Sequence, residues 1–494
     1  MTSQELTVIA PLVAAIAAAV FILFVDLVFP NERRLAIAAS LLALGVVAVI
    51  TIFAHQRVGG GLPGDAFDGA YRLDALTTFL DLLFVSIVAL TIVFAPDYLE
   101  PRGLPIAEFA VVLVFAMTGA MLLAGATDLV LAFLGLELMV LPGYMLAAYH
   151  KTDGYSTEGA IKYFLLGSFS SAIFLFGLAF VWGLTGTTRV AGIAEVLAGV
   201  ADGSVAFSPG LAMGFAFMTT GVAFKIAAVP FHYWTPDAYQ GSPTPITGYL
   251  SVGPKIGAFA LILRLFVEAL GPLKADWLPV VVVLAAVTMT VGNLIALTQD
   301  NVKRMLGYSS IAHTGYMLVG LAAFAGGQQL GLEGLLFYGA AYTFMNLGAF
   351  AVIAALQKRA GVTSNLNTFA GLGRREPLLG ILMTLFLLSL TGIPPTAGFF
   401  AKAVVILAAV QAGGWVSFLA VITMLNAAAA AFYYLRIVVY MFRREPATEA
   451  EPLRHGGLMW SGLAVTTALT ILFGFFPGLI LGIIGQAARA IAGA

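Results

Sequence analysis

Cysteine is absent from all 494 residues, and only 10% of the chain is charged. Without thiols there are no disulfides, no thiolate zinc site, no cysteine-ligated iron–sulfur cluster and no covalent haem attachment. Soluble domains carry about 25% charged residues, so a water-facing globular fold is excluded. An excess of positive charge is also missing: 24 Lys and Arg stand against 25 Asp and Glu, so no basic face points to nucleic acid. Phosphate-binding Gly-Lys-Ser loops do not occur. Gly59-Gly-Gly-Leu-Pro-Gly64 formally satisfies G-x-G-x-x-G, but it follows an apolar run, contains Pro63 and opens no crossover unit. Nucleotide chemistry in this chain is therefore not expected.

What the chain does have is apolar sequence, 61% of its residues. A membrane-spanning helix needs about 20 such residues. Runs of that length fall at 6–29, 35–54, 75–95, 106–125, 127–149, 157–183, 208–229, 243–270, 277–298, 304–326, 331–356, 377–411, 415–442 and 457–485. They do not alternate as barrel strands must, so strands are not expected. The prediction is an all-α polytopic membrane protein of about fourteen transmembrane helices. The first run lacks the basic residues that precede a secretory core, Glu5 being its only early charge, and reads as a retained span. Loops after odd-numbered spans carry thirteen Lys and Arg, against five on the other side. The positive-inside rule then places both termini on the non-cytoplasmic side.

Two spans contain helix breakers. Pro230, Pro236 and Pro243 follow the seventh, and Pro394-Pro395 interrupts the twelfth. Proline frees backbone carbonyls that lipid cannot satisfy, so these breaks must face protein or water. Broken helices five spans apart suggest two inverted five-helix repeats around an ion pathway, because an odd period turns the second copy upside down. The predicted division is 1–105 (helices 1–3), 106–270 (first repeat), 277–442 (second repeat) and 443–494 (helix 14).

The candidate chemistry is charge inside apolar helices. Glu137, Lys162, Lys225, Lys255 and Lys402 all lie within the predicted spans. A Lys or Asp at a helix centre costs about 2.5–3.5 kcal/mol to insert, which favours a functional reason for each. Desolvation disfavours the charged forms, so such groups can exchange protons near neutral pH. The bland alternative is a buried Glu–Lys pair that locks helices together, but one acid cannot neutralise four lysines. His313 is suited to linking two lysines; a histidine bonded to a hydroxyl at a helix interface has nearly equal weight. His232 and His313 together could hold a haem, a weak signal. Asp237 is expected to cap the resumed helix.

The segment from Phe224 through Lys-Ile-Ala-Ala-Val-Pro-Phe-His-Tyr-Trp-Thr-Pro-Asp to Pro245 resembles the hallmark of subunit N of proton-pumping NADH:quinone oxidoreductase, respiratory complex I. Asn301-Val-Lys-Arg-Met-Leu-Gly-Tyr-Ser-Ser-Ile-Ala-His-Thr-Gly-Tyr316, Gly348-Ala-Phe350 and Leu390-Thr-Gly-Ile-Pro-Pro-Thr-Ala-Gly-Phe399 agree with it. The resemblance runs from the third span to the end. It implies an antiporter-like subunit of a translocase, with no redox centre of its own. FMN, iron–sulfur clusters and quinone belong to partner subunits, among them the antiporter-like subunit M and small membrane subunits such as K and J. It further implies that Glu137 pairs with Lys225, and that Lys162, Lys255, His313 and Lys402 occupy family motif positions in a proton relay, with Lys303 on the same tenth-helix motif as His313. Lys402, where subunit M usually has a glutamate, and the end of the chain at Ala494, where subunit L continues into a long lateral helix, favour N. Pro254 before Lys255 departs from the family pattern. A multisubunit cation/proton antiporter is the alternative reading, with a bacterial plasma membrane as the expected location.

Overall fold

The computed structural model describes residues 2–30, 32–59, 64–206, 208–359, 361–445 and 454–492. The apolar runs are helices: α1 (Ser3–Val28), α2 (Arg33–Val58), α3 (Ala75–Phe94), the short α4 (Pro96–Leu99), α5 (Ile106–Gly125), α6 (Leu129–Ala147) and α7 (Gly154–Thr185). There follow α8 (Val190–Ala201), α9 (Pro209–Lys225), α10 (Trp234–Gly241), α11 (Thr244–Ile262), α12 (Lys274–Ala296), α13 (Val302–Ala325) and α14 (Leu330–Leu356). The last are α15 (Leu372–Arg375), α16 (Pro377–Thr391), α17 (Ala397–Ala412), α18 (Gly414–Arg443), α19 (Gly457–Phe475) and α20 (Gly478–Ala492). Eleven helices among the described residues are long and apolar enough to cross a membrane; α13 and the two broken segments fall outside that set.

Polar residues start the helices. Asp74, Asp128, Asp153 and Asn301 each accept a hydrogen bond from a first-turn amide that has no partner within its helix. The spans of α11 and α14 are wholly buried, whereas α1, α2, α7, α12 and α18 keep large apolar side chains on the outer surface, as lipid or neighbouring subunits require. Close helix approach uses glycine. A Cβ at Gly119 of α5 would lie 2.3 Å from the Met139 amide nitrogen of α6, and one at Gly398 would lie 1.8 Å from Ser389 O.

Three features depart from the sequence expectation. A two-stranded antiparallel hairpin, β1 (Gly64–Ala66) with β2 (Tyr71–Leu73), joins α2 to α3, so strands do occur, although outside the spans. Part of the glycine motif at 59–64, residues 60–63, lies outside the described residues. The predicted span 457–485 ends at Phe475, where Pro477 cannot continue the helix, and α20 follows as a separate amphipathic helix. The amphipathic α8 between α7 and α9 was not anticipated; at 12 residues it is too short to register as a span.

The breaks fall where proline put them. Between α9 and α10 the freed groups are satisfied inside the protein. Trp234 Nε1 donates to Phe224 O (3.0 Å), Thr314 Oγ1 to Ile226 O (2.7 Å), and the Val229 amide to Thr288 Oγ1 (3.1 Å). Pro254 does not break α11, which passes through it and loosens to a π-helical turn only at Leu263–Ala269.

Because Met139 backbone occupies the space above Gly119, Gly119→Val should force α5 and α6 apart. Overpacking of this kind costs about 1–3 kcal/mol. Thermal unfolding of the detergent-solubilised variant should show a lowered midpoint; an unchanged midpoint would mean the two helices have slack.

Candidate functional site

Lys225 ends α9, one residue before its helix unwinds, and is 4% exposed. Its Nζ donates to Ser171 Oγ (2.9 Å), Gly167 O (3.2 Å) and Tyr144 OH (3.4 Å). Gly167 is required there: a Cβ would meet the Tyr144 hydroxyl at 2.1 Å. Glu137 of α6 has an Oε1 that is buried without a hydrogen-bond partner. The two groups act on each other through space, not as an ion pair. Among the described residues no carboxylate oxygen comes within the 4.0 Å of an ion pair to Lys225, Lys255 or Lys402.

Lys255 of α11 is 2% exposed, and its Nζ donates to both Ser310 O and Ser310 Oγ at 2.5 Å. The Tyr342 ring lies 5.5 Å from it. Three residues along α13 from Ser310, and so on a neighbouring face, is His313. Tyr338 OH of α14 lies 2.8 Å from its Nδ1 and Tyr434 OH of α18 lies 3.2 Å from its Nε2. Tyr434 OH in turn bonds Ser309 Oγ. Both ring nitrogens are engaged by hydroxyls, so the haem reading with His232 fails on geometry: His313 has no free nitrogen for iron. His232 itself is buried with Nδ1 unpartnered.

Lys402 of α17 is held by the second break. Its Nζ donates to Leu390 O (2.8 Å) and Thr391 O (2.7 Å), the last carbonyls of α16. It also lies 4.9 Å from the Tyr316 ring. Tyr316 OH accepts from Asn293 Nδ2 (2.8 Å), and Asn293 Oδ1 accepts from Tyr433 OH (3.0 Å).

Lys162 stands apart. Its side chain is 44% exposed and paired at 2.7 Å with both Glu158 and Asp237. Asp237 also takes Arg304 Nη1 at 2.5 Å. The structure thus does not use Asp237 as a cap for α10, and Lys162 is not a bare charge in an apolar helix. The argument that one acid faces four lysines therefore reduces to three buried lysines. Lys303 is buried, with Nζ donating to Ser242 O, beside a polar cleft of about 510 Å³ lined by Arg102, His150, Asp153 and Gln240.

Sequence reasoning missed the hydroxyl and amide groups between the lysines: Tyr144, Ser171, Ser310, Tyr338, Tyr434, Tyr316 and Asn293. Only their position inside predicted spans marked them. It also passed over Arg264, which is buried with Asp74 and Glu268.

Fold and buried lysines define an antiporter-like membrane protein. The family described as NADH:quinone oxidoreductase/Mrp antiporter matches residues 126–426, more than half of the chain. NADH-quinone oxidoreductase subunit N of Trichlorobacter lovleyi is 41% identical over 487 residues, 99% of this chain and 98% of its own length. The subunit N of Chloroflexus aggregans is 38% identical over 491 residues, again 99% and 98%. A chain of respiratory complex I from Thermus thermophilus with bound aureothin superposes with TM-score 0.76 at 31% identity, covering 96% of this chain and 98% of that one. A chain of the Mrp complex from Dietzia superposes with TM-score 0.87 at 22% identity, a likeness of fold alone. The chain belongs to the subunit N family of NADH:quinone oxidoreductases.

Asp237 holds two cations from different helices, so Asp237→Ala should leave Lys162 and Arg304 without their shared carboxylate. The junction is half-exposed, and the loss should be about 1–2 kcal/mol. Lys162→Ala should cost less, because Asp237 keeps Arg304. Thermal midpoints of the two variants in the reverse order would show that Asp237 does not organise the junction.

Proposed function

We propose that this chain is the proton-conducting subunit N of the membrane arm of complex I, driven by electron transfer in partner subunits that hold FMN, iron–sulfur clusters and quinone. The observation that carries the reading is the set Lys225, Lys255 and Lys402: three ammonium groups buried in apolar helices and held only by hydroxyls and carbonyls. Such a group is stable either as a cation in a shell of dipoles or as a neutral amine. A modest change in nearby charge therefore shifts its proton occupancy. A structural lysine would be expected to sit on a carboxylate, as Lys162 does.

In this reading Glu137 is the input. Leu134 and Leu141, one turn to either side on α6, are exposed, so the acid lies next to a surface that a neighbouring subunit would cover. Loss or gain of charge at Glu137 changes the proton affinity of Lys225. Protons then pass by water to Lys255, through the Ser310, Tyr338, His313 and Tyr434 hydroxyl and imidazole groups, and on to Lys402. Lys162 with Asp237 and Arg304 is a fixed charged junction beside this row, which adjusts the field on it. The two breaks supply the mobile dipoles: each places a lysine at a helix end, α9 for Lys225 and the α16 carbonyls for Lys402.

The same reading takes the chain as fourteen spans, counting α9–α10 and α16–α17 as one broken span each, with residues 106–270 and 277–442 as inverted copies. The break after α9 carries its lysine before the gap and the break after α16 carries it after the gap. What supports inversion is the five-span separation of the two breaks, an odd period that turns the second copy upside down. Both termini lie outside the cytoplasm by the distribution of basic loops, and subunit M with the small membrane subunits K and J are the expected neighbours.

Lys225→Ala in the assembled complex should lower the proton-to-electron ratio, with NADH-driven pumping down at least about tenfold, or ~1.4 kcal/mol in barrier. NADH oxidation by soluble acceptors should remain intact. Vesicles of the variant that pump at the full rate would remove Lys225 from the relay. Sodium- or potassium-dependent, NADH-independent proton exchange would instead favour a cation antiporter.

A further inference from the structure

Asp81 has no role in the relay above. It lies in α3, is fully buried, and neither carboxyl oxygen has a hydrogen-bond partner. Tyr71 of β2, whose ring packs on Gly125 at the end of α5, likewise has a buried hydroxyl without a partner. Asp74, Thr77 and Asp81 are spaced to share one face of α3, about 10 Å from first to last.

At the top of that face is a tight ionic cluster. Arg264, in the π-helical turn after α11, bonds Asp74 (2.8 Å), Glu268 (2.5 Å), Thr77 Oγ1 (3.0 Å) and Ala124 O (3.1 Å). Asp74 and Glu268 also line an open cleft of about 780 Å³ on the face that carries the hairpin and α20, together with Arg72, Arg189 and Arg489. Another titratable group facing α3 is His55 of α2, held 3.1 Å from Thr78 Oγ1; Arg489 and Glu333 both lie beside Gly485 of α20, which packs on α3.

Arg264 is already taken by two carboxylates, and among the described residues no cation lies within ion-pair distance of Asp81. An isolated carboxylate in an apolar interior is too costly to persist. The acid form needs one proton, and the polar groups nearest to it along the α3 face, Thr77 and Asp74, lead to the cleft.

We propose that Asp81 is a proton-loading site, separate from the lysine row, that exchanges with the hairpin face through Thr77 and the Asp74–Arg264–Glu268 cluster. The proton leaving the Asp81 carboxyl is taken by water at Thr77, passes to the Asp74 carboxylate and from it to Glu268 on the other side of Arg264, and leaves to the cleft; the reverse steps reload it. No electron moves.

Infrared difference spectroscopy on the intact complex, labelled with carboxyl-13C aspartate, tests this without reference to pumping. Asp81→Asn should remove one protonated-acid carbonyl band, and that band in the native complex should shift on transfer to D2O. Asp81→Glu, which keeps an acid, should remove the labelled band and leave an unlabelled one, so a poorly assembled D81N does not decide the result. Glu268→Gln should slow the shift by at least about tenfold. Loss of a carboxylate band in D81N, an acid band that never shifts in D2O, or exchange at the native rate in E268Q would each overturn the proposal. These outcomes are independent of whether Lys225→Ala pumps.

Discussion

In hydrocarbon every backbone carbonyl needs a partner, and here two carbonyls left over by a broken helix are given a lysine. Lys402 donates to Leu390 O and Thr391 O, so the same bond that makes the α16–α17 break tolerable also makes a buried ammonium tolerable. Neither defect is stable alone. The freed carbonyls would lose hydrogen bonds in a dry interior, and the ammonium would lose its hydration; joined, each supplies what the other lacks. At the first break the carbonyls of Phe224 and Ile226 are satisfied by Trp234 and Thr314, and Lys225 instead borrows Gly167 O, Ser171 and Tyr144 from α6 and α7.

That difference matters for what the two lysines can do. A lysine held only by helix-end carbonyls, as Lys402 is, has partners that can do nothing but accept. One held by two hydroxyls and a single carbonyl has partners that reorient, since a hydroxyl both donates and accepts. In the proposed relay Lys225 would then change protonation state with little rearrangement of its partners, and Glu137, which makes no ion pair with it, would bias it. Lys255 is intermediate, both of its bonds going to the same serine.

Much of this was legible in the sequence because lipid enforces its rules strictly. Unbroken apolar runs became helices, and Pro230 and Pro394-Pro395 marked the gaps. Lys225, Lys255 and Lys402 proved to be buried. What failed did so for physical reasons. Lys162 read as buried because its neighbours Ile161, Tyr163, Phe164 and Leu165 are apolar, yet periodicity places it on the side facing Asp237, a partner 75 residues away that only the fold reveals. Asp237 read as a cap because a cap is the local use of an aspartate near a helix start, and the non-local one outweighed it. The hairpin and α8 are too short to give a membrane signal, and the apolar first half of α20 merged with the run of α19 into one predicted span. The tyrosines around His313 come from three helices, and no linear pattern unites them.

The hydroxyl-rich centre also bears on why His313 is there. With Tyr338 on one nitrogen and Tyr434 on the other, the imidazole must donate to one tyrosine and accept from the second in its neutral form. Reversing that choice moves one proton across the ring and turns both hydroxyls. A neutral imidazole between two phenols is thus a two-position switch that needs no net charge in the membrane. In the proposed relay that would suit it to stand between Lys255 and Lys402 better than a third lysine, which would add a like charge between two others and raise the cost of every protonation step.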